Sequence, residues 1–187
     1  MARSGGRIGR QVVAMNRDEV SREPNPILIR PITSDDWVRL KPLWVALYEH
    51  QREHGMLIEL PSDAYELWVA SFQPVLDRFA FVLVAEEQSS LVGFLAGRTR
   101  ALPPHFGSGQ AGFISDVFTD AAHRNRGIAT EMLGRACSWF TDRGIERLEL
   151  QVVAGNAEAR SFYLRHGWVE ELTQMVRETG PGTDRPK

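Results

Sequence analysis

The residues best suited to bind an anion form a basic loop, His123-Arg124-Asn125-Arg126-Gly127, between a predicted strand and a predicted helix. Residues 113–119 are rich in β-branched and aromatic types, and apolar positions at helical spacing begin at Ile128. The first amides of a helix have no acceptor within the helix and lie at the positive end of its dipole. Gly127 has no side chain that would keep a ligand away from them. The sequence therefore predicts a phosphate site where the loop enters the helix.

Asp116 is a carboxylate inside an otherwise apolar predicted strand. Burying an unpaired charge is costly, so we expect Asp116 either to form a buried ion pair or to face a cleft. In a cleft, the carboxylate could take a proton from a substrate ammonium, directly or through water, so that the free amine can attack a carbonyl. Both interpretations stay open at this point.

Candidate substrate-binding residues lie on the first predicted helix. Glu49 and Glu53 share one helical face at a spacing of four residues, next to Tyr48. A solvated face and an anionic mouth that attracts a cationic amine are both consistent with this spacing.

Two other motif matches point to different classes of protein. Gly107-x-Gly109-x-x-Gly112 fits the dinucleotide fingerprint, but it precedes a strand, whereas the fingerprint needs a strand before it and a helix after it. His50-Gln51-Arg52-Glu53-His54 fits the H-x-x-E-H zinc motif, but no third ligand is recognisable. We therefore predict no metal site.

The basic loop resembles the signature of a known family. Residues 124–129 match the pattern Gln/Arg-x-x-Gly-x-Gly/Ala of the GNAT N-acetyltransferases, whose loop cradles the pyrophosphate of acetyl-CoA. A second matching segment follows in the expected order: Asn156-x-x-Ala159-x-x-Phe162-Tyr163-x-x-x-Gly167-Trp168. The resemblance covers residues 27–177.

The resemblance implies roles for particular residues. The loop would hold the pyrophosphate, and the strand before it would pair with the pantetheine arm, which requires the sheet to open beside that strand. The implied cofactor-binding residues are Val117, Phe118, Thr119, Arg124, Asn125, Arg126, Gly127, Ile128, Ala129, Thr130, Asn156 and Tyr163. Tyr163 would also protonate the departing thiolate, and Asp116 is the second catalytic candidate.

The strand at 114–119 is most similar to that of polyamine and diamine acetyltransferases, which we associate with an acidic pair at this place. This chain has Ser115 where the first acid would be. The departure leaves both the polyamine specificity and the identity of the base open.

The family resemblance implies an α/β fold, with a mixed, mostly antiparallel sheet of six to seven strands flanked by about four helices. Residue patterns predict strands at 27–32, 79–85, 91–99, 113–119, 146–153 and 168–176. They predict helices at about 34–53, 61–74, 128–144 and 156–166. Pro42 predicts a kink or a break in the first helix.

Composition is ordinary for a globular protein: 187 residues, 43% hydrophobic, 25% charged, with a net charge of −2. This balance gives no reason to expect nucleic acid as a partner. The single cysteine, Cys137, excludes an internal disulfide. We expect residues 1–25 to be a disordered basic extension, with an organellar presequence as the alternative, residues 26–177 to be the acetyltransferase domain, and residues 178–187 to be a disordered tail.

The predicted function is an acetyl-CoA-dependent N-acetyltransferase that acts on a primary amine of a small molecule of the polyamine, diamine, aminoglycoside or amino acid type. One alternative is a non-catalytic acyl-CoA-binding or regulatory module. Another is a protein N-terminal or lysine acetyltransferase. We predict a cytoplasmic protein with no membrane partner and no nucleic-acid partner, and family resemblance leaves room for a homodimer.

Overall fold

The computed structural model of the protein describes residues 26–177, and both predicted disordered tails, residues 1–25 and 178–187, lie outside the described residues. Within them, five strands form one sheet in the order β1-β2-β3-β4-β5. The strands are β1 (Leu28–Pro31), β2 (Ala80–Glu87), β3 (Ser90–Ala101), β4 (Gln110–Thr119) and β5 (Arg147–Leu150). The three pairs from β1 to β4 are antiparallel, and β5 pairs with β4 in parallel. The sheet is therefore mixed.

Four helices flank this sheet within the described residues. They are α1 (Asp36–Glu53), α2 (Ala64–Phe72), α3 (Ile128–Thr141) and α4 (Ala157–Arg165). Single 3₁₀ turns cover Gln73–Val75, Pro104–Phe106 and Ala121–His123. The predicted number and positions of the helices are confirmed.

Two hydrophobic clusters hold the layers together, one on each face of the sheet. Helices α1 and α2 cover one face with an aromatic cluster that includes Trp44 and Phe72, and α3 covers the other face with Met132 and Phe140. Residues 80–85 of β2 are all buried and alternate between the two clusters. A strand that is buried on both faces has a continuous run of apolar residues in its sequence. This run is the reason that β2 can be predicted from the sequence.

The prediction of six to seven strands is wrong, since the described residues contain five. The predicted strand at 168–176 is absent, and its apolar side chains Val169, Leu172 and Met175 are 83–91% exposed. Only side chains connect this segment to β5 and the residue after it, as in the contacts of Arg147 with Glu171 and of Gln151 with Gln174. An apolar pattern alone does not make a strand, and no backbone ladder forms between this segment and β5.

Pro42 lies inside the single helix α1 and does not divide it. A proline frees the carbonyl four residues earlier from its helical hydrogen bond. That residue is Val38, whose side chain is 83% exposed, so this side of the helix faces water. Water can therefore satisfy the freed carbonyl. Of the predicted kink or break, the break is wrong, because α1 is continuous.

Candidate active site

A cleft opens where β4 and β5 separate. Their ladder ends at the pair Ile114–Leu150, while β4 continues for five more residues to Thr119. Residues 151–153, which were predicted to extend β5, are not strand and line the cleft instead. The opening that the resemblance implied is therefore present, and it encloses about 410 Å³.

Most of the predicted cofactor-binding residues meet in this cleft. They are Val117, Phe118, Thr119, Arg124, Asn125, Gly127, Ile128, Ala129, Thr130, Asn156 and Tyr163. Strand β4 supplies the first three, the loop and first turn of α3 supply the next six, and the start and middle of α4 supply the last two.

The loop before α3 presents unpaired amides to the cleft. Gly127 is the N-cap of α3 and has the left-handed φ of +77°. Among the described residues, no carbonyl or side chain accepts a hydrogen bond from the amides of Gly127, Ile128 and Ala129. A Cβ placed on Gly127 would meet no atom within 4 Å beyond the two neighbouring residues, and Gly127, Ile128 and Ala129 all line the cleft. The geometry is that of an anion site.

Glu87, at the end of β2, contacts this loop without lining the cleft itself. Its carboxylate accepts a hydrogen bond from Arg126 Nη2 at 2.7 Å and lies 3.1 Å from His123 Nε2. These contacts, that of Arg126 first, hold the pKa of Glu87 below its usual value. The Arg126 side chain does not line the cleft, unlike its neighbours Arg124 and Asn125. No sequence pattern indicates this contact of Glu87, which lies 39 residues from Arg126.

Acetyl-CoA, the donor that the sequence resemblance implies, fits the groups that line this cleft. The open cradle at Gly127 suits a pyrophosphate, and the edge of β4 that faces the cleft beyond Ile114 has no strand partner among the described residues. The buried hydroxyl oxygen of Thr119 also has no hydrogen-bond partner there. A polar ligand along β4 would give these groups the partners that buried polar groups require.

Tyr163 lies on α4, the helix whose start Asn156 caps. The Asn156 side chain accepts a hydrogen bond from the amide of Ala159 at 2.9 Å, which confirms the predicted cap. Tyr163 is half-buried and lines the cleft, and its hydroxyl makes no hydrogen bond with the described residues. Burial raises its pKa to about 12. The phenol therefore keeps its proton at neutral pH and is free to donate it.

Asp116 lies at a β-bulge and is almost completely buried, with 2% of its surface exposed. Its carboxylate accepts hydrogen bonds from Ser115 Oγ at 2.6 Å, Trp68 Nε1 at 3.2 Å and Tyr48 Oη at 3.3 Å. Burial raises the pKa of Asp116, and these hydrogen bonds oppose the rise. Of the two interpretations made from sequence, the structure favours the cleft, since Asp116 lines it and forms no ion pair with any residue from 26 to 177.

Helix α1 contributes to the cleft, but not through the residues that were predicted. Tyr48 is directed at Asp116, whereas Glu49 and Glu53 are exposed and do not line the cleft. Leu47, His50 and Gln51 line it instead. The acceptor-binding roles of Tyr48, Glu49 and Glu53 stay predictions.

His50 and His54 are the two histidines of the H-x-x-E-H match. The His50 imidazole packs against the ring of His54 at 4.3 Å, and Nδ1 of His54 lies 2.8 Å from the His50 carbonyl oxygen. Residues 26–177 contain no group of three or more His, Cys, Asp or Glu side chains that could hold a metal ion. Burial lowers the pKa of His50, and the charges of His54 and Arg124 lower it further.

A family comparison agrees with this geometry. A model of the acetyltransferase (GNAT) family matches residues 37–168 of the chain. The chain belongs to the GNAT acetyltransferase family. The region matched by the family includes the bulge at Asp116, the loop at Gly127 and the helix that carries Tyr163.

Solved structures share the GNAT fold with this chain. The tetramutant of BH1408 from Bacillus halodurans is 22% identical with a TM-score of 0.69, covering 81% of this chain and 99% of that chain. AAC(6')-Iy, solved with the bisubstrate analogue CoA-S-monomethyl-acetylneamine, is 18% identical with a TM-score of 0.67, covering 83% and 99%. A predicted acetyltransferase from Clostridium acetobutylicum, solved with acetyl-CoA, is 21% identical with a TM-score of 0.65, covering 82% and 96%. At these identities the likeness shows the fold.

A search of curated proteins found no significant match to the chain. No helix among residues 26–177 is long and apolar enough to cross a membrane.

Proposed function

We propose that this GNAT protein transfers an acetyl group from acetyl-CoA to a primary amine of a small molecule. The observation that carries the proposal is the opening between β4 and β5, because one cleft brings together a phosphate cradle, a free phenol and a buried carboxylate. These are the groups that binding a diphosphate, protonating a thiolate and accepting an ammonium proton require.

Donor binding would use backbone more than side chains. The amides of Gly127, Ile128 and Ala129 would donate hydrogen bonds to the pyrophosphate, with the positive charge of Arg124 beside them. The free edge of β4 from Val117 to Thr119 would pair with the pantetheine arm as an added strand does.

When bound, acetyl-CoA would supply an activated acyl carbonyl and a thiolate leaving group. A β4 amide near Val117 would polarise that carbonyl. Tyr163 would give its proton to the departing sulfur, for which its free hydroxyl is suited. Asp116 would accept a proton from the ammonium, so that a neutral amine attacks.

The acceptor in this proposal is a small molecule. Two neighbours with the same fold, AAC(6')-Iy and the metagenomic enzyme meta-AAC0020, are aminoglycoside acetyltransferases. The polyamine or diamine preference, the homodimer and the cytoplasmic location stay predictions.

A thiol-release assay over a panel of amines tests the proposed function. The panel contains spermidine, putrescine, kanamycin, alanine and a short peptide with a free N-terminus, and mass spectrometry identifies the acetylated product. We expect turnover on at least one small amine. Tight binding of CoA without turnover on any member would support the non-catalytic module, and turnover on the peptide alone would support the protein acetyltransferase.

A further inference from the structure

Ser115 is the extra residue of the bulge in β4. Ala96 of β3 pairs with Asp116 and Gly97 pairs with Ile114, so Ser115 has no partner in the ladder. In a regular strand, Ile114 and Asp116 would face the same side of the sheet. Because of the bulge, Ile114 packs in the cluster under α3, whereas Asp116 contacts Tyr48 and Trp68 from the α1 and α2 side.

Only one of the three donors that contact Asp116 is open to the cleft. Tyr48 and Trp68 belong to the aromatic cluster and do not line the cleft, whereas Ser115 lines it and is half-buried. The Ser115 hydroxyl lies 2.6 Å from Asp116 Oδ2, and the carboxylate itself is almost inaccessible. An acceptor in the cleft therefore reaches Asp116 most readily through Ser115.

We infer that Ser115 relays a proton from the acceptor ammonium to Asp116, an inference that rests on the proposed function. An N–H bond of the ammonium breaks as an O–H bond forms at Ser115 Oγ, and the original Ser115 proton moves to Asp116 Oδ2. Ser115 ends neutral, Asp116 ends as a carboxylic acid, and the acceptor nitrogen gains its lone pair for attack. After product release, the proton returns through Ser115 to solvent.

The groups around Asp116 are compatible with this relay. Tyr48 from α1 is the other titratable group in contact, and burial raises its pKa, so it stays protonated and acts as a fixed donor. Arg98 from β3 contributes a positive charge that favours the ionised carboxylate. Trp68 from α2 donates a hydrogen bond and does not titrate. Ser115 is therefore the one mobile proton donor between the carboxylate and the cleft among the described residues.

The relay is tested with two small acceptors that differ in protonation. Ethylamine is an ammonium ion near neutral pH and must lose a proton before it attacks, whereas hydroxylamine is largely neutral there. We expect Ser115→Ala to lower kcat/KM for ethylamine roughly 10²-fold, the lower end of what proton transfer contributes, and to leave the hydroxylamine reaction within about twofold. Ser115→Thr keeps the hydroxyl and should restore most of the ethylamine rate.

Two further variants separate a relay from a structural role. Asp116→Asn should show the same contrast between the acceptors, and the double variant should be no slower than Asp116→Asn alone, because the two residues act on one proton path. Ser138→Ala is the matched control, since Ser138 is on the outer part of α3 and bonds only to the Gly134 carbonyl. Equal losses for both acceptors, additive losses in the double variant, or no loss in Ser115→Ala would overturn the relay.

A second readout does not depend on turnover. The Ser115 hydrogen bond lowers the pKa of Asp116, so carbon-13 NMR of the Asp116 carboxyl group should show a higher pKa in Ser115→Ala and a value near wild type in Ser115→Thr. An unchanged pKa in Ser115→Ala would show that the two groups are not coupled. If the wild-type protein transfers acetyl to no amine, the proposed function is refuted. This result differs from those that would refute only the relay through Ser115.

Discussion

At the scale of single residues, the cleft holds two oxygen groups with opposite tasks in similar surroundings. Burial raises the pKa of both Tyr163 and Asp116. For the phenol, the rise keeps the proton in place at neutral pH but makes the hydroxyl a weaker acid, since a thiol has an ordinary pKa of about 8.5. For the carboxylate, the rise makes a better proton acceptor once it is ionised. Burial therefore favours the proposed base, and it helps the proposed acid only by keeping the phenol protonated.

Replacing Tyr163 with phenylalanine tests the proposed acid. We expect kcat to fall roughly 10²–10⁴-fold with little change in CoA affinity, because the hydroxyl contributes to proton transfer and not to the cradle. The melting temperature should not fall, since the hydroxyl has no protein partner among the described residues.

Tyr65→Phe is the matched control for that substitution. The Tyr65 hydroxyl donates to the buried carbonyl of Trp37, so its loss should cost roughly 1–3 kcal/mol of unfolding free energy and leave kcat unchanged. Unchanged kcat in Tyr163→Phe, with chemistry limiting the rate, would remove Tyr163 from the mechanism.

Replacing Gly127 with alanine tests the cradle. A left-handed residue with a Cβ costs about 1 kcal/mol in stability, and the added carbon would also project into the open space in front of the amides. We expect CoA affinity to fall roughly tenfold or more, equivalent to about 1.4 kcal/mol.

Gly144→Ala is its control at the other end of α3. Gly144 has φ of +69° and likewise no protein atom within 4 Å of an added Cβ, so the backbone strain is comparable. Equal loss of CoA affinity in both variants would mean that strain, and not the position of Gly127, is responsible.

At the scale of elements, the C-terminal end of β2 anchors two parts of the structure with adjacent glutamates. Glu87 binds the loop before α3, and Glu86 binds Arg30 of β1 and Arg39 of α1. The two carboxylates therefore position the donor loop and the helix that borders the cleft.

Glu87→Gln should loosen the donor loop. It weakens the contacts of Arg126 and His123, and we expect CoA affinity to fall several-fold, measured by calorimetry. Glu86→Gln is the control, since its partners Arg30 and Arg39 lie on β1 and α1. It should reduce thermal stability without a comparable loss of CoA affinity. A loss of affinity confined to Glu86→Gln would contradict this assignment.

A buried carboxylate at the start of α1 should make the unfolding free energy depend on pH in the acidic range. The buried carboxylate of Asp36 accepts hydrogen bonds from Arg30, Arg39 and the amide of Thr33, and the Arg30 guanidinium, first among these, lowers its pKa well below the usual range. A folded pKa below the unfolded value of about 4 means that the stabilisation is complete above pH 4 or so and is lost as pH falls toward the folded pKa.

Chemical denaturation across the acidic range checks this dependence. We expect the unfolding free energy to fall below about pH 4 in the wild type and to fall less steeply in Asp36→Asn. Asp35→Asn, which changes an exposed neighbour, should keep the wild-type slope. Identical slopes in Asp36→Asn and wild type would show that Asp36 does not account for the dependence.

At the scale of the whole molecule, the site depends on the packing of helices on both faces of the sheet and on the gap between β4 and β5. The local parts were predictable from sequence: the loop at Gly127 and the cap at Asn156 depend on residues within a few positions of each other. The contacts of Asp116 were not, because Tyr48 and Trp68 lie 68 and 48 residues away and a bulge decides which face Asp116 occupies.

The sheet shows the same division. Strands with a buried apolar run, such as β2, follow from composition, whereas the length of β5 depends on where β4 diverges from it. The apolar residues at 168–176 resemble a strand locally, but no ladder forms on them. The strand register and the number of strands could therefore not be predicted from the sequence, because both depend on tertiary contacts.

Equilibrium dialysis with acetyl-CoA tests the central claim most directly, since everything proposed depends on the donor occupying the gap between β4 and β5. We predict saturable binding of one molecule per chain, weakened in Gly127→Ala and retained in Gly144→Ala. No saturable binding to the wild-type protein would contradict the account.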